Sequence, residues 1–288
     1  MHLNSTIILL AESIEQALSI DELCWSLTKN CISQLNFENC IVYLLDEKKN
    51  KLIQQSAVGT KNSSIKTVLT PIEIPIGEGI VGSVAKYGVA ELVNDTHKDK
   101  YYTLADEKGN SKLTVPIKSG AKVIGIINSE HSAKGFFTIQ HLYILTVISS
   151  FLTDKLKEIT LQLSPPEKLF PTLDRIKKIS EQEQNYLLLS TQSKIYKISK
   201  NEIIRVEAAG NYCVLYTLGE LKIMLAKTLK TLEKEINSSV FIRAHKSHLV
   251  NLNYIEECKN NELILSDKTV IAVSVRKLPF VKKALLNL

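Results

Sequence analysis

The sequence predicts an α+β N-terminal domain, an antiparallel sheet with flanking helices, followed by a mostly-β C-terminal domain. Three observations predict this. First, the hydrophobic period runs from helical spacing to strand alternation and back to one long helical run over the first 160 residues, whereas residues beyond 185 read almost wholly as short strands. Second, Ser164-Pro-Pro-Glu-Lys-Leu-Phe-Pro171 breaks any regular element between the two patterns. Third, charge divides at the same place. Residues 1–163 hold 16 lysines, no arginine and 17 acidic residues, net −1; residues 164–288 hold 20 basic and 13 acidic residues, net +7. The boundaries expected are 1–159, a linker at 160–184, and 185–288, about two ordinary domains.

In chain order, Ile7, Leu10, Ile14 and Leu18 recur at helical spacing, and Asp21 is placed to cap a second helix over 22–35. Residues 40–45 and 51–58 alternate as strands around a polar turn, a hairpin. Residues 70–76 are extended because Pro71 and Pro75 exclude a helix. Ile80–Lys86 reads as a short helix ended by Gly88, and 91–93 as a short strand. Residues 94–110 are loop-like, 112–117 and 122–127 form a second hairpin around Ser119-Gly120, and 137–157 is a long helix. Beyond the linker the strands expected are 186–190, 194–198, 203–208, 212–218, 220–225, 262–265 and 269–273. One helix is expected at 229–236 and a terminal helix at 276–286. His245 and Ser247 point to one strand face and Lys246 and His248 to the other. Val206, Val214, Ile223 and Ile264 read as core.

Composition narrows the class. Hydrophobic content of 44% and charged content of 23% are those of a soluble globular protein. The first residues carry no basic n-region and no stretch reaches the roughly 18 apolar residues a membrane helix needs, so a cytoplasmic protein without membrane contact is expected. The five cysteines, Cys24, Cys31, Cys40, Cys213 and Cys258, form no CxxC pair, and their odd number suits reduced thiols. Cys24 and Cys31 share a helix face and read as small apolar packing. The basic C-terminal half points to a polyanionic partner such as nucleic acid.

Residues 1–160 resemble a GAF domain. The resemblance rests on Ile76-Gly-Glu-Gly-Ile-Val-Gly-Ser-Val-Ala85, then Ser111-Lys-Leu-Thr-Val-Pro-Ile117, then Val123-Ile-Gly-Ile-Ile-Asn128, with Phe136-Phe137 ahead of the long helix. Gly77, Gly79 and Gly82 read first as a tight turn into a helix packed close to the sheet. Their GxGxxG spacing lacks the strand–turn–helix–strand unit of a dinucleotide site. The resemblance implies a ligand pocket between the sheet and the variable loops, where Asn94, Tyr101 and Tyr102 are the residues expected to meet a small molecule. No cofactor or metal can be named: the motifs of cyclic-nucleotide and bilin subtypes are not visible, and His97 and His131 lack a supporting haem pattern. GAF relatives include free-methionine sulfoxide reductases, but residues 41–212 contain no cysteine, and no catalytic residue is assigned. A GAF domain that only dimerises, or that docks onto a partner such as a histidine kinase, is the alternative.

Residues 185–288 resemble a LytTR domain. The pieces are Ile203-Ile-Arg-Val-Glu-Ala-Ala-Gly-Asn-Tyr-Cys-Val214, Thr228-Leu-Lys-Thr-Leu-Glu233, Val240-Phe-Ile-Arg-Ala-His-Lys-Ser-His-Leu-Val-Asn251 and Ser274-Val-Arg276. The resemblance implies a transcription regulator that binds double-stranded DNA through loops and strand ends. It places Asn211 and Tyr212 in the first DNA-contacting loop, Lys246 at a base-reading position after His245, and Arg276 at a third reading position, with Arg243, Ser247 and Lys277 near phosphate. Arginine can give two parallel hydrogen bonds to a guanine edge, whereas lysine is a flexible point charge. Asn211 suits an adenine edge and equally a turn after Gly210. His245 suits the interface and equally a core position holding the turn. A homodimer is expected, with Leu142, Leu145, Leu152, Leu156 and Ile159 of the long helix spaced for a seam, although packing on the sheet competes for the same face.

Overall fold

The computed structural model describes residues 3–59, 68, 70–99, 110–161, 185–191 and 194–286. The chain divides into two compact units, Met1–Gln184 with Gln192–Tyr196, and Asn185–Thr191 with Lys197–Leu288.

In the N-terminal unit, α1 (Leu3–Glu15) and α2 (Ile20–Leu35) lead into β1 (Asn39–Asp46) and β2 (Lys51–Gly59). Then follow β3 (Glu73–Pro75), α3 (Gly79–Tyr87), β4 (Ala90–Val93), β5 (Ser111–Ser119), β6 (Lys122–His131) and α4 (Ile139–Leu161). Strands β3-β2-β1-β6-β5-β4 lie side by side in that order, each antiparallel to its neighbour. Period-2 alternation sorts their side chains onto two faces. Cys40, Val42, Leu113, Val115, Ile117 and Ile127 meet α1, α2 and α4 in one core. Ile41, Tyr43, Leu52 and Ile126 meet Val81, Val84 and Ala85 of α3 on the other face.

Local chemistry explains most boundaries. The N-cap of α2 is Ser19, whose hydroxyl accepts from the Glu22 amide; Asp21, expected to cap, lies in the first helical turn, where its charge favours the helix dipole. Gly88 ends α3 in the left-handed conformation. A Cβ on Gly82 would come within 2.5 Å of the Pro75 carbonyl oxygen, so the close packing expected of this glycine is real.

The seam expected on α4 is not free. Leu142, Leu145, Leu152 and Leu156 are buried in the unit's own core, together with Ile144, Val147, Ile148 and Phe151, and Ile159 is half-buried against it. The helix is apolar nearly all round because it lies between the sheet and α1, and the competing reading of its apolar face prevails. The two helical cysteines are core as well. Burial, with help from Asp21, pushes the Cys24 thiol up to about 12, and a hydrogen bond with Cys40 plus burial raises Cys31 well above the ordinary thiol range. Such thiols stay protonated and unreactive at neutral pH.

In the C-terminal unit the described elements are β7 (Tyr186–Ser190), the end of β8 (Lys194–Ser199), β9 (Ile203–Ala209), β10 (Tyr212–Thr217), β11 (Lys222–Leu225) and α5 (Leu229–Ile236). They continue through β12 (Phe241–His245), β13 (His248–Asn251), β14 (Ile255–Lys259), β15 (Glu262–Leu265), β16 (Val270–Ala272) and α6 (Leu278–Leu286). One sheet has the order β11-β10-β9-β13-β12 and a second β14-β15-β16. Thr228 caps α5, and Leu229, Leu232 and Ile236 bury one face of it. Val206 and Ile223 are core as expected. Val214 and Ile264 are only half-buried, because Cys213, Leu215, Leu263 and Leu265 are the inward-facing alternates. Asn251 is fully buried: its amide donates to the Ile203 carbonyl and its oxygen accepts from the Asn253 amide. Asn251→Ala leaves both backbone groups without a partner and is expected to lower stability by about 1–3 kcal/mol in urea unfolding.

Candidate nucleic-acid interface

Three turns meet at one end of the five-stranded sheet. The first is Gly210-Asn211, which joins β9 to β10 with Ala209 opposite Tyr212. Gly210 has φ +63°, the left-handed value a two-residue hairpin needs, and a Cβ there would touch nothing within 4 Å, so backbone conformation and not space calls for glycine. The second turn is Lys246-Ser247, between His245 and its cross-strand partner His248. Strand β13 pairs with β9 through His248 and Glu207, and the Ala208 amide donates to the Ser247 carbonyl at 2.8 Å. Because β9 runs toward its turn and β13 away from its own, the two turns share an end of the sheet. The third is the 274–277 turn that opens α6. The Ser274 amide donates to the Ala244 carbonyl of β12 at 3.3 Å, and the Lys277 amide closes the turn on Ser274. Neighbouring strands are about 4.8 Å apart, so β10 to β12 spans roughly 14 Å, close to the ~12 Å width of a DNA major groove.

Side chains at this end fall into two groups. Asn211, Tyr212, Lys246, Arg276 and Lys277 are exposed. Among the described residues Lys246 and Arg276 make no side-chain ion pair, so their charge faces solvent. Arg243, His245 and Ser247 are half-buried and engaged internally. The Arg243 guanidinium donates from Nε to the His245 carbonyl at 3.2 Å, from Nη2 to the Lys246 carbonyl, and from Nη1 to Glu233 of α5 at 3.0 Å. Arg243, expected near phosphate, is thus bonded to two carbonyls of the turn and to α5. His245 Nδ1 lies 2.8 Å from the Ser247 hydroxyl, which favours its turn-holding reading.

The strand alternation expected across residues 245–248 is interrupted by a hairpin turn. The alternation stops at Lys246-Ser247, so His245 faces His248, with ring centroids 5.9 Å apart, and not Ser247 alone. No glycine, asparagine or proline marks this turn. It is held by two Arg243 contacts to its carbonyls and by the Ala208 amide, which local turn chemistry does not announce.

Sequence reasoning also missed a charge cluster farther along the sheet, away from the first turn. Arg205 of β9 is buried, bonded to Glu207 at 2.8 Å and Asp267 at 3.1 Å, and stacked 3.5 Å from the Tyr216 ring centroid. Tyr216 in turn donates to Glu207. The signal available was the alternation of Arg205 and Glu207 on one strand face opposite Tyr216, a cross-strand arrangement visible only once the register is known.

In the N-terminal unit, the sheet face that carries α3 turns polar toward β4. Glu91, Lys112, Thr114, Asn128 and Glu130 lie on it, all buried. Lys112 and Glu130 pair at 3.1 Å, Thr114 donates to Asn128, and Asn128 donates to Glu130. Ser83 of α3 donates to Glu91. Lys194, grouped with this unit, places its ammonium 2.6 Å from Glu91 and 2.8 Å from Asp99. Of the expected pocket residues, Asn94 is exposed and its carbonyl accepts from the Gly135 amide, while Tyr101 and Tyr102 lie outside the described residues. His131 stacks on Phe136 at 3.6 Å, and His97 is exposed beside Asp95. Among the described residues no group of three or more His, Cys, Asp or Glu is placed to hold a metal, and no helix is long and apolar enough to cross a membrane.

Residues 193–286 match the LytTr DNA-binding domain family, and residues 17–155 match the GAF domain family. The chain is 31% identical over 90 residues to the heme-containing CO-sensing transcriptional regulator RcoM 2 of Paraburkholderia xenovorans, 30% of this chain and 33% of that protein. It is 27% identical over 92 residues to the transcriptional regulatory protein NatR of Bacillus subtilis, 31% of this chain and 39% of that one. The matches thus span little more than a third of either regulator. Among solved structures, the free methionine-R-sulfoxide reductase of Neisseria meningitidis, in complex with its substrate, superposes with a TM-score of 0.50 at 14% identity, over 56% of this chain and 92% of that chain. That likeness shows the fold alone.

Proposed function

We propose that this chain, which joins a GAF domain to a LytTr DNA-binding domain, is a cytoplasmic one-component transcription regulator that reads double-stranded DNA with the three-turn end of its C-terminal unit. The observation that carries the proposal is the convergence of Asn211, Tyr212, Lys246, Arg276 and Lys277 at one exposed sheet end. Arg276 and Lys246 supply donors for base edges, Asn211 an amide for adenine, and Tyr212 and Lys277 contacts to the sugar–phosphate backbone. The two curated relatives are both transcriptional regulators. Two copies would read two half-sites separated by multiples of a helical turn, about 10.5 base pairs. Since the apolar face of α4 is spent on the unit's own core, the copies would pair through another surface. Sedimentation of a strict monomer at high concentration would remove the homodimer from this reading.

The GAF domain is the sensor in this proposal, taking a small molecule on the α3 face beside Glu91, Thr114 and Asn128. Catalysis is no part of it: the cysteine-free span 41–212 leaves that face without the thiol a sulfoxide reductase needs. One observation favours the second reading, an interaction module without a ligand. Lys112 pairs with Glu130 and Lys194 with Glu91 and Asp99, so that face is charge-compensated from within the chain. Thermal denaturation against a metabolite library separates the two, since a sensing domain gains stability with its cognate molecule and a docking module does not. For the DNA reading, purified protein is mixed with genomic fragments, including its own upstream region, across a salt series. Selection of particular fragments is the expected result; equal binding to all of them would overturn the proposal.

A further inference from the structure

We infer that Arg243 and Glu233 are positioning residues that set the geometry of the Lys246 turn, and that Arg243 does not itself contact DNA. The inference rests on the DNA-binding reading above and deepens it. Lys246 stands on a two-residue turn that has no glycine, asparagine, aspartate or proline. Its backbone is fixed from outside. The planar guanidinium of Arg243 reaches three acceptors in three directions: the carbonyls of His245 and Lys246 on the turn, and the Glu233 carboxylate on α5. A lysine is a point donor and cannot span these positions at once. Glu233 fixes the rotation of the fork, and its helix is anchored by buried Leu229, Leu232 and Ile236. The far side of the turn is held by the Ala208 amide on the Ser247 carbonyl and by His245 on the Ser247 hydroxyl. With both faces pinned, the Lys246 side chain leaves a backbone whose direction is set before DNA arrives, the condition under which a flexible cation can discriminate bases.

The two roles for Arg243 predict different salt behaviour. A phosphate contact adds about 0.9 to the slope of log affinity against log salt, and its loss weakens binding to all sequences alike. A positioning residue leaves that slope unchanged and lowers the ratio of specific to non-specific affinity. The test uses the full chain with Arg243→Lys, Arg243→Ala, Glu233→Ala and Glu233→Gln, measuring that ratio and slope on a selected fragment and on random DNA, and hydrogen exchange of the 244–248 backbone in free protein. Arg243→Lys and Glu233→Ala are expected to speed exchange at 244–248 and to lower the ratio about tenfold, the order of one lost base contact, with slope unchanged. Glu233→Gln, which keeps an acceptor oxygen, is expected to restore both. A slope reduced by about one in Arg243→Ala, or unaltered exchange in Arg243→Lys, would overturn the inference. Glu233 is half-exposed, so Glu233→Ala keeps the test available if Arg243→Ala does not fold. If wild type itself shows no preference, the DNA reading fails separately, and exchange in free protein still decides whether Arg243 holds the turn.

Discussion

Replacing Lys246 and Arg276 together with alanine is expected to weaken binding to a selected DNA fragment by about 30-fold to 10⁴-fold while leaving the fold intact. Each side chain is exposed and sits on a turn whose backbone is held by other residues, so truncation removes a donor and no packing. A contact to a base edge is worth about 1–3 kcal/mol. The two belong to different turns and share no partner among the described residues, so their losses add, to about 2–6 kcal/mol. Arg276→Ala is expected to be the larger single loss, because a guanidinium gives two parallel bonds where an ammonium gives one. The control is Lys222→Ala, which removes one positive charge. Lys222 pairs with Tyr216 at the opposite end of β10, away from the three turns. It is expected to lower affinity for all DNA slightly and to leave the specificity ratio alone. Fluorescence anisotropy on selected and random duplexes at two salt concentrations measures all three variants. A double variant that still prefers the selected fragment would place the reading surface elsewhere on the unit.

How much of this surface the sequence reveals depends on whether a residue acts locally. The first turn is legible, because Gly210 announces it and the flanking residues alternate. Arg276 and Lys277 are legible as charges at the start of a helix, which in the structure begins two residues later, at Leu278. The second turn is not: Lys246-Ser247 has no glycine, asparagine or proline, and it is held by the Arg243 guanidinium and an amide on β9. Arg243 likewise reads as a phosphate neighbour, because its partner, Glu233, lies ten positions away on a helix. In the N-terminal unit the order of elements is legible from period and punctuation. The apolar face of α4 fits a coiled-coil seam and a buried helix equally, and only the presence of α1 on its other side decides between them.

Least legible of all is Lys194, and its removal carries the other large expected effect. Lys194 lies 103 residues from Glu91, yet its ammonium sits between the Glu91 and Asp99 carboxylates, with all three side chains nearly inaccessible. Burial alone would pull the ammonium's pKa down; Glu91 and Asp99 outweigh it and hold it above the ordinary lysine value. For Glu91 burial is the larger influence and raises its pKa despite the attraction of Lys194. Lys194→Met removes the ammonium that sits between these two buried acids, and breaking such a group costs about 3–5 kcal/mol. For a unit of this size that is a fall in Tm of roughly 6–20 °C. Trp25, the single tryptophan, lies on α2 and reports on this unit alone by fluorescence. The pH dependence has a definite sign. Without Lys194 the Glu91 pKa rises further, and a group whose folded pKa exceeds its unfolded value costs stability as pH climbs above the unfolded value. The gap between wild type and Lys194→Met should therefore narrow toward acid pH and widen toward neutrality. Neutralising the whole group, with Glu91→Gln and Asp99→Asn added to Lys194→Met, should recover most of the loss at pH 7, because amides are far less costly to bury than unpaired carboxylates. A gap that stays constant with pH would mean that Lys194 contributes packing by its four-carbon stem, and that its charge is not what the two acids require.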